Sequence, residues 1–182
     1  MFLPRINTPN TIVILRIIAA IVVIIGFGVL DLESLAPRFA LAAIFGLASA
    51  SDWLDGYLAR RLNQCTTFGA VFDPLADKIL VTSTIAYLAA SVDGKLLILA
   101  LLIFTRDCIV DGIRLVHAKD SPEIPIAAGI PGKIKTIVQM STLPIAILFW
   151  HPVITTITLV LACILSIWSG VIYVRAAKIQ LK

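Results

Sequence analysis

Residues 39–62 read FALAAIFGLASASDWLDGYLARRL. An apolar run ends at Ser51, and acids and bases follow at once. The run 39–51 is too short to cross a bilayer, which takes about 20 residues. It becomes long enough if the helix continues through its charged end to about Leu62. The runs 79–92, 96–105 and 137–150 pose the same problem and take the same solution. Helix 3 then starts near Phe68, helix 4 runs to about His117, and helix 5 starts near Gly132. Residues 11–30, with Arg16 inside, and 153–174 are long enough unaided. The expectation is an all-α polytopic membrane protein of six transmembrane helices, forming one domain over residues 1–182. Breakers separate the helices at Leu35-Ala36-Pro37, residues 91–95, residues 121–131 and His151-Pro152. Residues 1–10, with Phe2, Leu3, Arg5 and Ile6, predict a short amphipathic segment lying in the interface.

Composition agrees with a lipid solvent. Apolar residues make up 59% of the 182 and charged residues only 14%, with a mean hydropathy of +1.01. A soluble domain has too much surface to cover with so few charges. This excludes a disordered chain, a basic nucleic-acid module and almost any soluble enzyme. The net charge of +4 fits an anionic membrane leaflet and carries no nucleic-acid signal. Cys65, Cys108 and Cys163 are widely spaced and read as small apolar fillers. Residues 11–30 are too long for the apolar core of a cleaved signal peptide.

Alternating the six helices sorts the bases by side. One side receives Arg5, Arg60, Arg61, Arg114, Lys119, Lys133, Lys135, Arg175, Lys178 and Lys182. The other receives only Arg38 and Lys95. The base-rich side is the cytosol by the positive-inside rule, which places both termini there. The charged extensions of helices 2, 3, 4 and 5 then all fall in the cytosolic leaflet. Asp52 would lie about 10 Å deep at 1.5 Å per residue. Ionisable groups inside spans are costly and point to function.

Asp52 and Asp55 share a face of helix 2 at i,i+3, together with the small residues Gly56 and Ala59. Gly69, Asp73 and Asp77 follow at i+4 steps on helix 3, where Pro74 bends or starts the regular helix. Four carboxylates in lipid cannot all stay ionised unpaired, so protons or cations must neutralise them. Oxygen-only ligands suit a hard cation: Mg²⁺, Mn²⁺ or Ca²⁺. Such a set could hold two divalent ions, the arrangement that clamps a phosphoryl group during displacement.

The pattern D-x2-D-G-x2-A-R-x8-G-x3-D-x3-D over residues 52–77 resembles the signature of the CDP-alcohol phosphatidyltransferase family. The resemblance implies a six-helix membrane enzyme, a homodimer, that moves a phosphatidyl group from CDP-diacylglycerol to an alcohol and releases CMP. It implies that Asp52, Asp55, Asp73 and Asp77 bind two Mg²⁺ or Mn²⁺ ions, with Asp77 also the general base. It implies that Gly56 and Ala59 make room for the nucleotide and that Arg60 and Gly69 help hold it. Asn10, Arg16 and Thr66 are further candidates for contacts to nucleotide or phosphate. Localisation in the bacterial inner membrane follows from the same resemblance.

A second charged set concerns the acceptor. Asp107, Asp111 and Arg114 share a face of helix 4 next to Arg106, and helix 5 opens with Lys133 and Lys135. If Arg106, Arg114, Lys133 and Lys135 meet beside the carboxylates, they would bind a dianionic phosphate on the acceptor. The opening Thr8-Pro9-Asn10, the stretch Phe72-Asp73-Pro74-Leu75-Ala76-Asp77-Lys78 and Gly132-Lys133-x-Lys135-Thr136 are similar to family members whose acceptor is glycerol 3-phosphate. Asp107 departs from that pattern, which has Glu after the arginine. Inositol phosphate and phosphatidylglycerol are the alternative acceptors. A cation or proton transporter is the rival from another class, but it would favour repeat symmetry and a midplane site. An intramembrane aspartyl protease would need only two of the four acids.

Overall fold

The structure is a computed structural model that describes the backbone of residues 8–61, 67–120 and 130–180. Side chains are described for residues 11, 14–51, 75–116 and 130–177. Among these residues the chain is all helix: α1 Thr8–Val29, α2 Leu35–Arg61, α3 Thr67–Val92, α4 Leu97–Asp120, α5 Ile130–Phe149 and α6 Pro152–Gln180. The helices do continue into their charged ends, as residues 39–62 require.

Three boundaries differ from the sequence reading. α1 begins at Thr8, so Thr8-Pro9-Asn10 are continuous with the first helix. Residues 1–7, the rest of the expected interfacial segment, lie outside the described residues. Leu35-Ala36-Pro37 opens α2 instead of interrupting the chain. Proline is tolerated in a first turn, where the N–H has no helical partner to lose. The start of α3 at Thr67 agrees with the expected start near Phe68, so Pro74 lies within the helix and does not open it. Residues 94–96 form a 3-10 turn before α4, capped by Asp93, whose carboxylate accepts from the Lys95 N–H at 2.9 Å.

α1 packs on α2 and α3, α5 lies between α2 and α6, and α4 packs on α6 and α3. The core between them is built from Leu41, Phe45, Leu80, Ile85, Leu88, Ile103, Leu143, Ile147 and Leu159, all buried. Buried alanines (Ala20, Ala42, Ala89, Ala146, Ala162) let the helix axes approach. Gly26 marks the tightest approach of α1 to α2, since a Cβ there would lie 2.5 Å from Leu41 Cδ2.

The outward faces are apolar. Leu15, Ile25, Leu101, Ile157 and Ile164 are each more than half exposed. Large apolar residues exposed along α1, α4 and α6 form a surface that water does not stabilise. This is a membrane protein. By length and composition, residues 75–92 of α3 and 152–177 of α6 are each sufficient to cross a bilayer. The apolar stretches 14–29 of α1 and 35–51 of α2 are shorter.

One end of the bundle is pinned by local contacts. Arg38 donates to the Phe149 carbonyl at the end of α5 (3.3 Å) and to the Ser34 and Glu33 carbonyls (3.1 and 3.3 Å). Phe27 of α1 stacks on Tyr87 of α3 with centroids 4.3 Å apart, and Trp150 lies 6.0 Å beyond Tyr87. Trp150 closes α5 in the left-handed region (φ 47°), where its N–H donates to the Ala146 carbonyl. That conformation costs a non-glycine residue about 1–2 kcal/mol, and the aromatic contact helps offset it. The functional residues gather at the opposite end.

Candidate active site

A cavity of about 550 Å³ opens at that opposite end. Among the described residues, five helices line it. α2 supplies Ser49, and α3 supplies Asp77 and Lys78. α4 supplies Arg106, Asp107, Val110, Asp111 and Arg114, and α5 its first turns from Pro131 to Met140. α6 supplies Ser169, Ile172, Tyr173 and Ala176. The near end of each helix is used because successive helices alternate in direction.

Asp107 is the hub of the charged wall. Lys135 Nζ lies 2.7 Å from both of its oxygens, and Arg106 Nη1 lies 2.7 Å from Oδ1. All three side chains are largely buried. The other guanidinium nitrogen, Arg106 Nη2, donates to Ser169 Oγ at 2.7 Å. Lys78 of α3 pairs with Asp111 of α4, joining the helix of Asp77 to the cationic helix. The Arg114 guanidinium sits 5.3 Å above the Tyr173 ring, a cation–π contact. Lys133 and Arg114 are exposed at the rim, and among the described residues neither has a carboxylate within ion-pair reach.

Among the described residues, the cavity wall carries five bases (Lys78, Arg106, Arg114, Lys133, Lys135) against three carboxylates (Asp77, Asp107, Asp111). The surplus is positive. Such a wall favours a multiply charged anion in a site with low-dielectric sides.

The structure brings together Asp77, Arg106, Arg114, Lys133 and Lys135, as the sequence reading expected, along with Lys78, Asp107 and Asp111. Arg16, 1% exposed on α1, is not among the described residues that line the cavity. Asn10, Asp52, Asp55, Gly56, Ala59, Arg60, Gly69 and Asp73 have helical backbones in α1, α2 or α3, but their side chains lie outside the described residues. Thr66 lies outside them altogether. The sequence reading missed Ser49, Ser169 and Tyr173. Their signal was faint: Ser169, Tyr173 and Ala176 recur at i, i+4 and i+7 as the small or polar face of an apolar helix.

The model of the CDP-alcohol phosphatidyltransferase family matches residues 6–168. The chain belongs to this family. Among curated relatives, the CDP-diacylglycerol–glycerol-3-phosphate 3-phosphatidyltransferase of Rickettsia felis is 36% identical over 179 residues, covering 94% of this chain and 96% of its own. The protein of the same name from Haemophilus influenzae is 35% identical, covering 96% and 95%. That from Escherichia coli K12 is 36% identical over 149 residues, covering 79% and 81%. Among solved structures, the apo form of Mycobacterium tuberculosis phosphatidylinositol phosphate synthase shares the fold, with a TM-score of 0.67. It is 20% identical, with 93% of this chain and 88% of that chain covered.

Proposed function

We propose that this phosphatidyltransferase takes its phosphatidyl group from CDP-diacylglycerol and gives it to sn-glycerol 3-phosphate. The products are phosphatidylglycerol phosphate and CMP. The observation that carries a phosphorylated acceptor is the surplus of bases among the described residues of the cavity wall beside Asp77. A phosphate monoester brings up to two negative charges to match it. An unphosphorylated alcohol would leave the surplus unbalanced. The names of the Rickettsia, Haemophilus and Escherichia relatives support the same acceptor.

The donor side rests on the carboxylates. Asp52 and Asp55 come from the last turns of α2, and Asp73 and Asp77 from the first half of α3, successive helices that touch. This all-oxygen donor set fits two Mg²⁺ or Mn²⁺ ions. When bound, such ions would neutralise charge on the pyrophosphate and on the departing CMP. Asn10, Gly56, Ala59, Arg60, Thr66 and Gly69 would accommodate the nucleotide. On the acceptor side, Arg106, Arg114, Lys133 and Lys135 hold the phosphate and orient the glycerol toward Asp77. An Asp77 carboxylate oxygen takes the proton from the 1-hydroxyl. The deprotonated glycerol oxygen forms the new bond to the phosphatidyl phosphorus as the bond to CMP breaks.

The same reading places the enzyme in the bacterial inner membrane as a homodimer of six-span chains. The cavity and both termini face the cytosol. The distribution of bases supports this orientation, since Arg38 and Lys95 lie at the far end of the bundle.

The test is direct. Purified protein is given CDP-diacylglycerol, a divalent cation and labelled glycerol 3-phosphate, and the lipid product is identified. Labelled phosphatidylglycerol phosphate with stoichiometric CMP is the expected result. Faster turnover with inositol phosphate or phosphatidylglycerol would replace the acceptor assignment. Ion flux without CMP release would replace the enzyme by a transporter.

A further inference from the structure

We infer that Ser169 and Gly170 of α6 are positioning residues for Arg106, and that through it they set affinity for the acceptor. The inference rests on the assignment of the cationic wall to the acceptor phosphate. Neither residue carries charge, and Gly170 does not line the cavity.

The geometry begins with Ser169, which is 2% exposed. Its hydroxyl donates to the Ser166 carbonyl at 3.1 Å, leaving the oxygen lone pairs directed elsewhere. One of them accepts from Arg106 Nη2 at 2.7 Å. Nη1 is held by Asp107 at the same distance. The two contacts fix the plane of the guanidinium from opposite helices, α6 and its own α4. A planar fork held at two nitrogens presents its remaining N–H groups in one direction, which phosphate recognition requires.

Gly170 makes this pose possible. A Cβ at that position would lie 2.8 Å from Arg106 Nε, 2.9 Å from Cγ and 3.4 Å from Cδ. The arginine stem therefore lies flat on the α6 backbone, in space that any other residue would fill. The close approach is not secured by Nε, which is buried without a hydrogen-bond partner. It is secured by the two Nη contacts and by the missing side chain. An alanine would displace the stem at Cγ, and the displacement would carry through to the guanidinium. Gly28, Gly46 and Gly112 have open space where a Cβ would lie, so this close approach sets Gly170 apart from other helical glycines.

The experiment uses the full-length enzyme in mixed micelles, with KM measured separately for each substrate in wild type, Gly170→Ala and Ser169→Ala. A product other than phosphatidylglycerol phosphate from the wild type would remove the acceptor reading itself. With that product confirmed, both variants should raise KM for glycerol 3-phosphate about tenfold, the equivalent of one charge-assisted hydrogen bond. KM for CDP-diacylglycerol should stay within about twofold and the melting temperature within a few degrees. Ser169→Ala only removes an oxygen, so it remains readable if Gly170→Ala folds poorly. Unchanged KM for glycerol 3-phosphate in Ser169→Ala would overturn the inference. So would a parallel rise for both substrates, the mark of a general packing defect.

Discussion

Asp107 holds two buried bases at once, so its removal should be felt in both stability and ligand response. In Asp107→Asn the side-chain volume is kept and the charge is lost. Lys135 Nζ loses an anion 2.7 Å from both oxygens, and Arg106 Nη1 loses one at 2.7 Å. All three side chains are at most 17% exposed, so solvent screens them weakly. Breaking a buried pair by removing one partner costs about 3–5 kcal/mol. An independent estimate that assigns about 1.5–3 kcal/mol of charge-assisted hydrogen bonding to each of the two bases falls in the same range. The variant should unfold that much more easily in a denaturant titration of the micellar protein, followed by tryptophan fluorescence. A second consequence has the opposite sign. A dianionic phosphate can replace the lost carboxylate as partner for Arg106 and Lys135. Saturating glycerol 3-phosphate should therefore raise the melting temperature more in the variant than in wild type, against a linkage gain of about 2.7 kcal/mol at a hundred times Kd. A variant within about 0.5 kcal/mol of wild type, with equal ligand shifts, would refute the reasoning. It would mean that the bases are already neutralised by something other than Asp107.

Three further outcomes follow from the same structure. Asp77→Asn should retain CDP-diacylglycerol binding and lose turnover by at least about a hundredfold, the usual contribution of a general base; near-normal single-turnover rates would remove the base assignment. Lys78→Met and Asp111→Leu should each destabilise the bundle by about 1 kcal/mol, and the double variant by less than their sum, because the pair links α3 to α4 at a partly exposed site; strict additivity of melting shifts would show no such link. Gly26→Ala should cost about 1–3 kcal/mol in denaturant titration, since its Cβ meets Leu41 at 2.5 Å; an unchanged midpoint would show that α1 and α2 separate freely.

Much of the architecture could be read from charge and hydropathy because the bilayer allows few solutions. A run such as 39–51, too short to span, had to continue into Asp52 and beyond, and α2 does. The convergence of α3, α4 and α5 on one end followed from alternation alone. The boundaries were less legible. Pro37 reads as a breaker, but its effect depends on which turn it occupies, and in the first turn it costs nothing. The site was legible where it is charged: Arg106, Asp107, Asp111, Arg114, Lys133 and Lys135 stand out from an apolar background. Which base pairs with which acid was not, because it depends on helix rotation and register. On spacing alone Asp111 pairs with Arg114, one turn on at i,i+3, but in the fold it pairs with Lys78 of α3. Ser169 and Gly170 were invisible for a different reason. Small residues on a transmembrane helix usually serve packing, and only the position of Arg106 gives them another use.

The bond between Arg106 and Ser169 spans 63 positions of the chain. During synthesis, α4 leaves the ribosome well before α6 does. Until α6 docks, Arg106 has neither its serine acceptor nor the bare stretch of backbone on which its stem rests. The cavity also lacks the wall that carries Tyr173. The cavity proposed for the acceptor is therefore complete only once the last helix has docked. Competence for the second substrate is tied to completion of the bundle, and a partly inserted chain cannot offer it.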